Sequence, residues 1–195
     1  MKEETRIKQL FETAKKSLDE IALILNIEAI DAVSTVESDI IKVAGMEADW
    51  VTAGLKWDGK SEVEDEEELK AFLGFNPNGA DRDGLSWCAG FWLKVFENLG
   101  FDTTGLDLRA ISFANWGYDL LEFYEKIEDL PNGTIMVFQP DPDGDFPVSH
   151  IGVKVDNDKL FGGNQGNKAK RSNLAWYLAN SKLVAARCPD GYELV

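Results

Sequence analysis

Residues Ser86-Trp87-Cys88-Ala89-Gly90-Phe91-Trp92-Leu93-Lys94-Val95-Phe96-Glu97-Asn98-Leu99-Gly100 decide how this chain is read. The stretch reads as a helix from Ser86 to Leu99. Ser86 is suited to capping the free N–H groups of the first turn, and Gly100 to the left-handed residue that ends a helix. Cys88 then lies in the first turn, where unpaired N–H groups and the helix dipole favour thiolate over thiol and make the sulfur nucleophilic.

Beyond this helix, two short helices are expected at 107–115 and 118–126, and Pro131-Asn132-Gly133 makes a turn. The periodicity then changes to that of strands at 134–139, 148–155, 159–162 and 182–187, linked by Asp141-Pro142-Asp143-Gly144-Asp145 and Val155-Asp156-Asn157-Asp158. Before it, the acidic block from Glu62 to Glu68 opens a short helix running to Phe72, its carboxylates suited to the positive helix end. Further upstream, Ile7, Leu10, Phe11, Ala14, Leu18, Ile21, Ala22 and Leu25 line one face of a helix over 4–25, and a second helix is expected over 28–45. Helices first and antiparallel strands second make an α+β domain at 46–195, with a helical extension at 1–45.

A chain of 195 residues, 44% of them hydrophobic, can bury a sizeable core. Acidic residues outnumber basic ones 35 to 20, and the formal charge of -15 repels phosphate backbones and anionic headgroups, which excludes nucleic acid as a natural partner. The apolar run Ile21 to Leu25 is too short for a signal-peptide core or a membrane span. The expectation is a chain made in the cytoplasm, without membrane insertion and monomeric. Cys88 and Cys188 are too few for a disulfide framework and have no CxxC or histidine cluster around them.

Taken singly, the chemical residues are ambiguous. A lone cysteine on an apolar helix is a small buried hydrophobe. His150 is the only histidine of the chain, so imidazole chemistry at neutral pH must use it, although a lone histidine is usually incidental. Strand alternation turns Ile151, Val153 and Val155 to the core and His150, Gly152 and Lys154 the other way, with Gly152 leaving space beside the ring. Gly162-Gly163-Asn164-Gln165-Gly166-Asn167 permits close backbone approach and offers amides, or is an ordinary turn. Together, Cys88, His150 and Asn164 follow the chain order of a thiol nucleophile, a base and an orienting amide.

Ser86-Trp87-Cys88-Ala89-Gly90-Phe91, His150-Ile151-Gly152-Val153 and Gly162-Gly163-Asn164-Gln165 resemble the motifs of NlpC/CHAP-type papain-like cell-wall peptidases and amidases, most nearly the phage-associated members. The resemblance covers roughly residues 80–190. It departs from the pattern at Gly133-Thr134, where many relatives carry Gly-Asp, and at the acidic insertion before the nucleophile. It implies a papain-like α+β fold and cleavage of an amide bond in bacterial peptidoglycan, by endopeptidase or N-acetylmuramoyl-L-alanine amidase action. Cys88 would be the nucleophile, His150 the base, and Asn164 the residue orienting the imidazole. The oxyanion would be met by the Cys88 backbone N–H and a second donor, with Gln165 the candidate and Trp87 a candidate substrate contact. The implied setting is a phage endolysin, or a delivered antibacterial toxin, acting on the wall after release or delivery.

Other functional classes remain beside this one. A catalytically silent wall-binding or virion protein would have no need of Cys88, His150 and Asn164 together, whereas a papain-like effector acting on proteins would keep all three. No cofactor is implied. Asp81 and Asp83 resemble the acidic calcium loop of some CHAP relatives, but the same residues read as a plain turn. No phosphate loop or dinucleotide fingerprint is present. The aromatics Trp87, Trp92, Phe113, Trp116 and Tyr118 read as core, with a groove for glycan or peptide as the alternative.

Overall fold

The structure is a computed structural model that describes residues 41–43 (backbone only), 48–78, 86–141, 143, 149–156 and 158–194. The chain divides into two units, Met1–Ile41 and Lys42–Val195. The helices expected over 4–25 and 28–40 lie outside the described residues. Residues 41–43, placed by periodicity in the second helix, form a strand instead, β1 (Ile41–Val43), paired with β8 (Tyr192–Leu194). Its β-branched Ile41 and Val43 suit an extended chain wherever a partner strand is offered.

Among the described residues three helices precede the main sheet: α1 (Asp49–Leu55), α2 (Glu66–Leu73) and α3 (Cys88–Asn98). The acidic block starts a helix as expected, with Glu66, Glu67 and Glu68 in its first turn. Glu62, however, lies outside it and is buried. α3 packs on the sheet and on α1 and α2. It buries Phe91, Trp92 and Phe96 completely, each contributing about 1.5–3 kcal/mol relative to exposure. Gly100 takes the left-handed conformation expected of it, with φ 81°.

The stretches 107–115 and 118–126 form 3-10 turns rather than α-helices, at Ala110–Asn115 and Leu120–Glu122, with a further turn at Ile127–Asp129. Between the first two lies β2 (Tyr118–Asp119). Tyr118 and Asp119 leave the helical path because they pair with Cys188 and Arg187, and an Asp119–Arg187 ion pair at 3.2 Å fastens that edge.

The main sheet contains β3 (Ile135–Pro140), β4 (His150–Val155), β5 (Lys159–Gly162), β6 (Lys170–Asn173) and β7 (Ser181–Cys188), with α4 (Leu174–Asn180) between β6 and β7. Strand order is β2-β7-β3-β4-β5-β6, with every neighbouring pair antiparallel. This is the α+β architecture expected from sequence, a helix that begins at Cys88 against an antiparallel sheet.

Both faces of central β4 are covered, not one, and every residue from His150 to Val155 is buried. The space expected beside Gly152 is filled by Leu160, whose Cγ would lie 2.5 Å from a Cβ placed there. Lys154, 1% exposed, reaches inward and donates from Nζ to the backbone carbonyls of Glu128 and Leu130. Those carbonyls replace the water its ammonium loses, while burial still pushes its pKa below the usual lysine value.

Candidate active site

α3 begins at Cys88 without a side-chain cap. Ser86 Oγ lies 3.2 Å from Cys88 Sγ, so the hydroxyl expected to cap the helix attends the sulfur instead. The backbone N–H groups of Ile151, Ala89 and Cys88 itself act electrostatically on the sulfur. Ile151 is available because the β4–β5 ladder begins two residues later, at Val153 opposite Phe161. The strands part there, and the N terminus of α3 abuts the gap. Burial is the largest influence on Cys88 and pushes its pKa up, while the Ser86 and N–H contacts pull it down.

His150, the residue before Ile151, opens β4 opposite Phe138 of β3. It is 5% exposed, and burial depresses its pKa from 6.5 to about 3, so the ring is neutral throughout the physiological range. One face of the imidazole stacks on Tyr177 of α4, with ring centroids 4.8 Å apart and planes 12° from parallel. The ring nitrogen Nε2 lies 3.3 Å from Gln165 Nε2.

Gln165 therefore occupies the place by the imidazole for which Asn164 was the sequence candidate. Asn164 is half-buried with a left-handed backbone, φ 58°, at the turn that delivers Gln165. Gln165 is 2% exposed, and its Oε1 and the Trp92 Nε1 are buried without a hydrogen-bond partner among the described residues. The sequence signal was present, since Asn164 and Gln165 are adjacent amides. Which one faces the strand depends on the turn's backbone, which composition does not reveal.

The loop after β5 is pressed onto α3. A Cβ at Gly163 would fall 2.6 Å from Trp87 Cζ3 and 2.7 Å from Phe91 Cβ, so only glycine permits this approach. The far side of the loop is laced to residues 59–62. Gly59 N–H bonds to Ala169 O at 2.7 Å, Ala169 N–H to Lys60 O at 2.8 Å, and Glu62 N–H to Asn167 O at 3.0 Å. The buried Glu62 carboxylate then accepts from Trp87 Nε1 at 2.6 Å. Trp87 is fully buried, so it presents no surface to a substrate and serves as the wedge between loop and helix. Trp92 and Phe113 are also fully buried, as core aromatics. This upstream brace was missed in the sequence because its contacts are mostly backbone to backbone.

Asp81 and Asp83 lie outside the described residues. Among the described residues no group of three or more His, Cys, Asp or Glu could hold a metal ion, and no helix is long and apolar enough to cross a membrane.

No family model and no curated protein matches the chain. Solved structures similar to it include two NlpC proteins. One is NlpC1 from Trichomonas vaginalis, 19% identical with a TM-score of 0.40 over 67% of this chain and 45% of that one. The other is NlpC2 from the same organism, 21% identical with a TM-score of 0.41 over 67% of this chain and 47% of that one. The chain spans a little under half the length of each.

Proposed function

We propose that the protein is a cysteine-nucleophile amide hydrolase acting on bacterial peptidoglycan, as an endopeptidase within the peptide stem or an amidase between sugar and stem. The observation that carries this reading is where three groups are placed around the start of β4. These are the Cys88 thiol among helix N-terminal N–H groups, the neutral His150 imidazole next along the strand from Ile151, and the Gln165 amide against that imidazole. The substrate class rests on the motif resemblance around Cys88, His150 and Gly162 to Gln165.

With Nε2 engaged by Gln165, Nδ1 is the nitrogen left for the thiol proton. That role requires the ring proton to sit on Nε2, and hence the Gln165 carbonyl to face it. Turning the amide in this way also removes the unpartnered Gln165 Oε1. In the reaction Cys88 Sγ attacks the substrate carbonyl carbon as Nδ1 takes the thiol proton. The backbone N–H of Cys88 faces the developing oxyanion. Collapse of the tetrahedral intermediate breaks the C–N bond, the imidazolium protonates the leaving amine, and water hydrolyses the thioester with His150 again as base. The depressed imidazole and raised thiol mean a neutral resting pair, with charge separation deferred to substrate attack. Phage lysis is the biological setting we favour.

The test is digestion of purified peptidoglycan by wild type and by Cys88→Ala, with released fragments identified by mass spectrometry. Cys88-dependent fragments with new amino termini are expected, and their position distinguishes endopeptidase from amidase cleavage. Fragments from neither protein, or equal release by both, would overturn the reading.

A further inference from the structure

The stacking of Tyr177 on His150 is not required by the sheet. Tyr177 comes from α4, a seven-residue helix started by Asn173, whose side chain accepts from the Ala175 N–H. Its ring covers one face of the imidazole at 4.8 Å and 12°, and lies 5.5 Å from Phe138, the residue opposite His150 in register. Burial and the charge of a Cys88 thiolate push the phenol's pKa up, while the Ser172 side chain on edge strand β6 pulls it down. A single side chain thus stacks on the base and interacts electrostatically with the thiol.

We propose that Tyr177 is a positioning residue of the Cys88–His150 pair, holding the imidazole plane toward the thiol and stabilising the imidazolium formed by proton transfer. This rests on reading Cys88 and His150 as the reacting groups. The stack restricts rotation of the ring, which keeps one nitrogen on Gln165 and the other free for the thiol. When the S–H bond breaks and the imidazole N–H forms, the ring becomes a cation against the negative face of the phenol. Attraction therefore grows as the proton moves. Among the described residues, the titratable group shown against the imidazole is the Tyr177 phenol from α4, and the Cys88 thiol from α3 acts electrostatically on that phenol. β3 presents Phe138 and the loop after β5 presents the Gln165 amide, neither of them charged.

The experiment compares the full chain with Tyr177→Phe, which keeps the stack but loses the hydroxyl, and Tyr177→Leu, which loses both. One measurement is the alkylation rate of Cys88 by iodoacetamide against pH, read by mass spectrometry of its peptide and independent of any natural substrate. The other is the imidazole NMR signal, assignable without ambiguity because the chain has one histidine. The wild-type and Phe proteins should show imidazole protons shifted upfield by the stacked ring and alkylation rates within about threefold of each other. The Leu protein should lose the upfield shift and react at least ~10-fold more slowly at neutral pH. It should regain the wild-type rate at a pH where hydroxide ionises the thiol unaided, which shows that access to the sulfur is intact. An unshifted wild-type signal, equal slowing in Phe and Leu, a Leu rate matching wild type, or slowing that persists at high pH would overturn the proposal. A Cys88→Ala protein that still releases peptidoglycan fragments would instead overturn the underlying reading, while the NMR shift stayed in place.

Discussion

Cys88 and Cys188 are both free, both buried and both pushed up in pKa by burial, yet their surroundings differ in kind. Cys88 opens a helix, with the Ser86 hydroxyl 3.2 Å from its sulfur, the backbone of Ile151 and Ala89 pulling its pKa down, and the only histidine next to Ile151. Cys188 closes a strand, and its Sγ donates to Tyr192 O at 3.5 Å. Burial, with the carboxylates of Asp190 and Glu193, drives its pKa up to about 12, against the Tyr118 side chain and the Leu194 backbone, which pull it down. Both sulfurs rest as thiols, and they differ in what adjoins them: a helix start and the strand of the only histidine for Cys88, carboxylates that oppose a thiolate for Cys188.

The contrast breaks most decisively by substitution. Cys88→Ala should lower amide turnover on peptidoglycan fragments by at least ~1,000-fold, whereas Cys188→Ala should stay within about twofold, as only packing is lost. Comparable losses in both would mean that the two sulfurs matter for the same structural reason. Peptide mapping after iodoacetamide treatment of the native protein at neutral pH sharpens the same point. Cys88 should be modified about 100-fold faster than Cys188, and equal rates would remove the distinction.

A smaller effect separates the two adjacent amides. Gln165→Leu should reduce kcat by roughly 10- to 100-fold with little change in KM, because the imidazole loses its in-plane partner. Asn164→Ala should cost less than about threefold; the reverse order would restore Asn164 as the orienting residue. The last effect is on stability. The unfolded chain binds a proton at His150 below about 6.5, while the folded chain resists it until about 3. This contribution to folding is therefore present above 6.5 and is lost as pH falls through that window, by up to about 1.4 kcal/mol per pH unit. Urea melts of wild type and His150→Phe between pH 7 and pH 4 should show a shallower decline in the variant, and parallel declines would argue that the ring is already solvated.

Much of this contrast was legible in the sequence. The helix at Cys88, the turn at Pro131 to Gly133 and the strands bearing His150 and Gly162 follow local rules, so periodicity and turn residues locate them. Hidden were the features set by distant partners. Tyr118 and Asp119 became a strand because Arg187 and Cys188 offered an edge. Lys170–Asn173 became edge strand β6 although it reads Lys-Arg-Ser-Asn, a polar run with no apolar alternation. At the site, the positions of Cys88 and His150 follow from helix start and strand start. The exchange of Asn164 for Gln165 and the arrival of Tyr177 depend on a left-handed turn and a short crossover helix, which no pairwise spacing encodes.

Lys154 and His150 share β4, with the lysine amine sealed beneath the carbonyls of Glu128 and Leu130. An acylating reagent added to the native protein will mark exposed amines within its own reaction time and leave Lys154 until that strand opens. The lag before Lys154 is labelled is thus a clock for the lifetime of the strand that carries the imidazole, readable from a single peptide without a substrate.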